Sequence, residues 1–169
     1  MAAINVLRSV NLFIEGGGYA GMLEEITLPE VNVKTEEFRG GGMDAPTELD
    51  VGMEKLETEF TLKGYDATAL KTWGFAPGKP VNLIVKGSVL SENGESAPVE
   101  ATLQGNMKGS GFGGAWKPGE ATPLKMKMAV NYYKLTLGGE DIYEIDVPGM
   151  KRAIGGVDHL EAMRGHLGL

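Results

Sequence analysis

Two glycine-rich stretches carry the spacing that often signals a bound ligand, and each needs a second feature to work. Gly109-Ser110-Gly111-Phe112-Gly113-Gly114 matches G-x-G-x-x-G, which lets backbone amides approach a pyrophosphate. A dinucleotide site also needs a helix straight after the glycines, whose free N-terminal amides point at the phosphates. Here Trp116-Lys117-Pro118-Gly119 follows, and Pro118 forbids an extended helix. No strand–helix–strand pattern surrounds the run, so a plain loop is the better reading. Gly40-Gly41-Gly42 lacks the Lys-Ser/Thr that completes a P-loop. Met43-Asp44-Ala45-Pro46 follows without a cation, and Arg39 alone is not enough. A flexible arm, or one that a partner orders, fits this triplet better.

The remaining chemical candidates are weak for physical reasons. His159 and His166 are seven residues apart, two turns of a helix, too far to share one metal easily. They read as surface histidines. Glu57 and Glu59 share one strand face, as do Glu144 and Asp146, and paired carboxylates can do acid–base work. Exposed strand faces carry such pairs routinely, and nothing in the sequence shows a pocket. Trp73, Trp116 and the pair Tyr132-Tyr133 are not spaced as a stacking platform, so core or interface packing is expected. The chain has no cysteine, which excludes disulfides, thiol nucleophiles and cysteine zinc sites. The reading therefore expects no catalytic residue, no metal ligand and no cofactor.

The elements that must hold these residues are mostly strands. Residues 55–63 alternate, with Leu56, Thr58, Phe60 and Leu62 on one face and Lys55, Glu57, Glu59, Thr61 and Lys63 on the other. Residues 81–90 read as a second, mostly buried strand with Gly87 as its bulge. Val99, Ala101 and Leu103 alternate with Glu100, Thr102 and Gln104. In residues 124–137 the apolar positions are even up to Tyr132 and then odd, which marks a bulge or a change of sheet near Tyr133. The turn Gly138-Gly139-Glu140-Asp141 predicts a hairpin into residues 142–145. Weaker strands are expected at 11–15, 25–28 and 31–34. Asp66 caps a short predicted helix ending at Gly74, and a second is expected over 158–166 with Asp158 as its cap. Residues 39–52 and 105–119 read as long glycine-rich connections, and loops of that length are usually functional or ordered by something else.

Composition narrows the class. Hydrophobic and charged shares of 42% and 23% suit a folded soluble chain, whereas 26 glycines in 169 residues are about twice the usual share. A net charge of -7 argues against tight binding to DNA phosphates. It does not exclude a protein that lets DNA slide past. No apolar run approaches the roughly 20 residues of a membrane helix, and the start MAAINVLRSVNLFIEGGG lacks a secretory layout. A cytoplasmically made, soluble, single domain over residues 1–169 is expected. With little chemistry and many arms, the pattern suits self-association, because unpaired strand edges are liabilities in a monomer.

Several stretches resemble one family: NLFIEG at 11–16, KTEEFRGGGMDAP at 34–46, WKPGE at 116–120, YYKL at 132–135, YEID at 143–146 and RAIGGVDHLEAMRGHLGL at 152–169. They are similar, in order and over nearly the whole chain, to the major tail tube proteins of contractile phages and R-type pyocins. The resemblance implies a mainly β fold, an antiparallel barrel or sandwich with one or two short helices and long assembly arms. It implies hexameric rings stacked into a hollow tube inside a contractile sheath, which drives the tube through a cell envelope. It also implies baseplate and tail terminator proteins as partners, DNA as a transient cargo in a phage, and no membrane anchor. The chain is then made and assembled in the bacterial cytoplasm and ends in a virion tail or a bacteriocin particle. Residues 39–53 resemble the arm that reaches the next ring, with Arg39, Gly40, Gly41, Gly42, Met43, Asp44, Ala45 and Pro46 at its heart. Glu57, Glu59, Thr61 and Glu100 are the lumen candidates, on a face expected to be acidic unless Lys125 and Lys127 dilute it. Asp66 and Lys71 are the sheath-facing candidates. The alternatives are a type VI secretion needle subunit and, in another class, a small β-sandwich binding module or hydrolase.

Overall fold

The computed structural model describes residues 4–74 and 78–169. In chain order the elements are β1 (Asn5–Ile14), β2 (Gly17–Gly18), β3 (Leu23–Thr27), β4 (Val33–Phe38), β5 (Thr47–Met53), β6 (Leu56–Lys63), α1 (Ala67–Leu70), β7 (Val81–Ser91), β8 (Ser96–Phe112), β9 (Pro123–Leu137), β10 (Glu140–Asp146), β11 (Lys151–Ile154), β12 (Val157–Asp158) and α2 (Glu161–Leu167). One antiparallel sheet runs β12-β11-β10-β9-β8-β7-β1-β2, and β6 joins it against β9 while also pairing with β3. The fold is mainly β, as expected, with two short helices.

Alternation on β1, β6, β7, β8 and β9 fills a single interior. Leu12, Phe60, Leu62, Leu83, Leu103, Met107, Leu124, Met126 and Met128 are fully buried. Thr58 joins them because its hydroxyl donates to the carbonyl of Thr27 at 2.7 Å, which satisfies a polar group that burial would otherwise penalise.

β9 is the branch point. Residues 123–130 pair with β6, whereas residues 132–137 pair with β10. Against β8 the register slips between Gln104, opposite Tyr132, and Gly105, opposite Val130, so Asn131 is left over as a bulge. Of the two expectations for this region the bulge holds; the strand stays in one sheet and changes only its neighbour, from β6 to β10. Gly105 is required there, since a Cβ would sit 1.9 Å from the Ala129 carbonyl oxygen.

Four expectations need correction. About half of the predicted connection over 105–119 is strand, because β8 continues to Phe112 paired with β9, with a further register shift at Lys108. Its glycines make room for lysines crossing from β9: a Cβ on Gly109 would touch Lys127, and one on Gly113 would crowd Lys125. The predicted bulge at Gly87 lies instead in β1, where Arg8 is the extra residue between Leu7 and Ser9. At Gly87 the Leu7 side chain packs across the strand, its Cδ1 2.9 Å from where a Cβ would be. Helix α1 keeps its Asp66 cap, whose carboxylate accepts from Thr68 N at 3.3 Å and Ala69 N at 3.0 Å, but it ends at Leu70. Helix α2 begins at Glu161, not at 158, and Asp158 does not cap it.

Candidate assembly surfaces

The loop expected at residues 39–53 is part of a larger unit. β4 and β5 pair only with each other, as a two-stranded hairpin outside the main sheet. All six residues of β4 and the first five of β5 are exposed. Glu36 lies opposite Leu49 and Phe38 opposite Thr47, so Phe38, Leu49 and, two residues on, Val51 share a face. Each is about half exposed, at 53%, 48% and 46%. An isolated two-stranded hairpin is at best marginal in water, so this one lacks a partner for its apolar face.

The hairpin tip is not a slack glycine tether. Met43 N donates to the Gly40 carbonyl at 3.2 Å, and the Arg39 Nε donates to the Met43 carbonyl at 3.1 Å. Gly40 N points at the Met43 sulfur at 3.1 Å. Gly42 adopts φ +87°, a left-handed angle that favours glycine. Asp44, Ala45 and Pro46 beyond it are exposed. At the base, the Asp50 carboxylate accepts from Gly52 N at 2.8 Å and from Arg152 Nη2 at 3.1 Å. The Gly52 amide first, and then the Arg152 guanidinium, hold the Asp50 carboxyl below its ordinary range. Arg152 lies on β11, so this pair ties the hairpin base to the main sheet.

The lumen candidates fall on one side of the main sheet. Glu57, Glu59 and Thr61 lie opposite Ala129, Lys127 and Lys125 of β9, all facing away from the core. Glu100 faces the same way on β8, opposite Lys86 of β7 and Thr136 of β9. It lies six residues along β8 from Asn106, which pairs with Ala129, a separation of about 20 Å. The structure therefore places these residues on one face without clustering them. Thr61 presents almost no surface, at 4% exposed, with its hydroxyl 3.4 Å from the Glu25 carboxylate. Nor is the face acidic. Lys55 and Lys108 both pair with Glu57, Lys86 pairs with Glu100 at 3.6 Å, and Lys125 and Lys127 stand beside Thr61 and Glu59. β9 and β8 bring lysines to positions that β6 alone left acidic.

Of the two sheath candidates, Lys71 is exposed, whereas Asp66 is engaged. Its carboxylate accepts from the Tyr19 hydroxyl as well as from the α1 amides, and these bonds hold its carboxyl below the usual range. Burial first, and then the Asp66 carboxylate, push the Tyr19 hydroxyl up to about 12.

A model of the phage tail tube protein FII family matches residues 4–168. The chain belongs to that family. It is 32% identical to the tail tube protein of Escherichia phage P2, with both chains covered completely. It is 28% identical to the major tail tube protein of Serratia phage KSP20, over 87% of this chain and 85% of the relative. In fold it is similar to a chain of the PVC sheath–tube complex, an extracellular contractile injection system, in its extended state. That match has a TM-score of 0.55 and 5% identity, over 75% of this chain and 87% of the other.

In this tail tube family member, three ties escaped the sequence reading: Tyr19–Asp66, Asp50–Arg152 and Asp158–Arg164. The partners are 47, 102 and 6 residues apart, counting for the last the Asp158–Arg152 contact in the same knot. Asp158 accepts from Arg152 N at 3.3 Å and Leu160 N at 3.0 Å, and pairs with Arg164 at 2.6 Å. The Arg164 guanidinium chiefly holds the Asp158 carboxyl down to about 2. Thus the aspartate read as a helix cap instead ties β11 to α2. Both histidines are exposed, and among the described residues no group of three His, Asp or Glu side chains could hold a metal.

Proposed function

We propose that this tail tube subunit polymerises as stacked hexameric rings into a hollow conduit, surrounded by a contractile sheath and built on a baseplate. In a phage that conduit passes DNA; in either kind of particle it penetrates the cell envelope. A terminator closes the far end. The observation that carries this reading is the hairpin of β4 and β5, with an apolar face that stays exposed among the described residues. The outer edge of β1 supports it. β2 covers only Phe13 and Ile14, and Ile4, Val6 and Leu7 before them are exposed. Such an edge is a template for another chain's strand.

In this reading residues 39–53 reach the neighbouring ring. Ala45, Pro46 and Met43 are the apolar anchors, and Asp44 makes a polar contact. The face carrying Glu57, Glu59 and Glu100 lines the lumen. Its alternating carboxylates and lysines offer no continuous basic stripe to hold DNA phosphates. Deleting residues 41–46 leaves a folded monomer with an unchanged melting temperature that forms no tubes. Tubes of normal length in electron micrographs of that variant would falsify the arm assignment. A cysteine at Glu57 in assembled tubes stays protected from a bulky maleimide excluded by the lumen; fast labelling removes Glu57 from the lumen.

A further inference from the structure

The described residues enclose a groove of about 830 Å³ at the hairpin end of the main sheet. Val51, Met53, Leu56, Val130, Val147 and Met163 supply its apolar walls. Val147 and Met163 stand 57% and 56% exposed. The hairpin base, the β9 branch point and α2 meet around this space, and no side chain of the described residues fills it.

At the opposite end lies a group of the reverse shape. Tyr65, Phe112 and Trp116 pack together with ring centroids 5.1 to 5.8 Å apart, Phe112 edge to face with both others and Tyr65 tilted against Trp116. Tyr65 and Trp116 remain 60% and 67% exposed. The strand register sets the distance between the two features. Leu56 pairs with Val130 at the groove, and Leu62 pairs with Leu124, beside Phe112, at the aromatic end. Six residues of strand lie between, about 20 Å.

We infer that the groove receives the aromatic loop of the next copy, with Trp116 as the inserted side chain. This rests on the polymer reading above. A polymer grows through a heterologous contact, in which one end of a subunit meets the other end of its neighbour. The groove and the aromatic group are apolar features at such opposite ends. The hairpin is the poorer occupant. Met53 and Glu54 form both its base and the groove wall, so the hairpin leaves from the groove's own end. Charge agrees with this pairing. Lys117, next to Trp116, has no ion-pair partner among the described residues, and neither have Glu54 and Asp146 at the groove. Aromatic side chains of this size bury roughly 150–250 Å² each and are over-represented at interface hot spots.

The chain has no native cysteine, so disulfide mapping is unambiguous. The test uses the full chain in assembled tubes, with Lys117→Cys and Glu54→Cys together. Mild oxidation then gives a ladder of covalent oligomers, and either single variant gives none. Trp116→Ala leaves the monomer's melting temperature within about 2 °C, as for a surface substitution, and reduces tube yield at least tenfold. Intact tubes without a ladder overturn the inference and leave the polymer reading standing. A ladder from Met43→Cys with Glu54→Cys makes the neighbour's hairpin tip the occupant and overturns it too. A wild-type chain that forms neither rings nor tubes, even when seeded with tail ends, overturns both readings.

Discussion

Replacing Gly105 by alanine tests the architecture at the point where β9 changes neighbours. The new Cβ would lie 1.9 Å from the Ala129 carbonyl oxygen and 3.0 Å from the Val130 Cα. Contacts below 3.0 Å essentially do not occur, so β8 and β9 must separate by at least about 1.1 Å. The obstacle is backbone, not a flexible side-chain end. Residue 129 is also held by its pairing with β6 and cannot swing away. Overpacking costs about 1–3 kcal/mol, and an immovable neighbour puts this site near the upper figure. For a chain of this length each kcal/mol lowers the melting temperature by about 2–4 °C, so a fall of roughly 6–12 °C is expected. Thermal unfolding of the isolated subunit by circular dichroism measures it. Gly111→Ala is the control, since a Cβ there meets nothing within 4 Å, and it should shift the transition by about 2 °C or less. A Gly105→Ala subunit melting as close to wild type as the control does would refute the argument that the branch requires glycine.

Other perturbations separate the ties that hold the assembly surfaces. Arg152→Ala frees the hairpin base, so amide exchange in β4 and β5 quickens, while the global unfolding midpoint changes little because Asp50 is half exposed and its ion pair is screened by water. Asp158, held down to about 2, has a folded value below its ordinary value of about 3.9. Its contribution is therefore complete above pH ~4 and lost as pH falls through about 2. Amide exchange across α2 should quicken between those values, and Asp158→Asn should abolish that pH dependence. Tyr19→Phe removes the hydroxyl that donates to the Asp66 carboxylate. A cost of about 1.5–3 kcal/mol in chemical denaturation is expected for this charged hydrogen bond. The same tyrosine is raised to about 12, so its contribution is full below pH ~10 and lost as pH rises through 12. Absorbance titration of tyrosinate in wild type and Tyr19→Phe reads this directly.

Part of this fold was legible because one strand face must meet the core. Leu56, Thr58, Phe60 and Leu62 are buried together as their alternation predicted. The parity change near Tyr133 anticipated the bulge at Asn131. The hairpin into β10 was predicted too, but its turn is only Gly138 and Gly139, at φ +60° and +84°, because Glu140 and Asp141 already pair with β9. Asp66 caps α1 because its signal is local: a short carboxylate next to free amides. The tail of β8 was misread because glycine counts as a loop signal until a neighbouring strand's lysines need the space. Asp158 was misread because the choice between capping and bridging depends on Arg164, which reaches it only after α2 docks.

The amino-acid sequence by itself determined the β class, the absence of cysteine chemistry and, through its motifs, the family. These properties are written in residue type and short-range period. Only the tertiary structure decided that residues 39–53 belong to a hairpin with β4, and that the candidate lumen face is mixed in charge. It alone showed that an apolar groove and an aromatic group occupy opposite ends of the strands. Each depends on which distant strands become neighbours. A strand's own alternation says which side chains face outward, but the charges beside them come from its partners. For Glu57 and Glu59 those partners are Ala129 and Lys127, some 70 residues away along the chain.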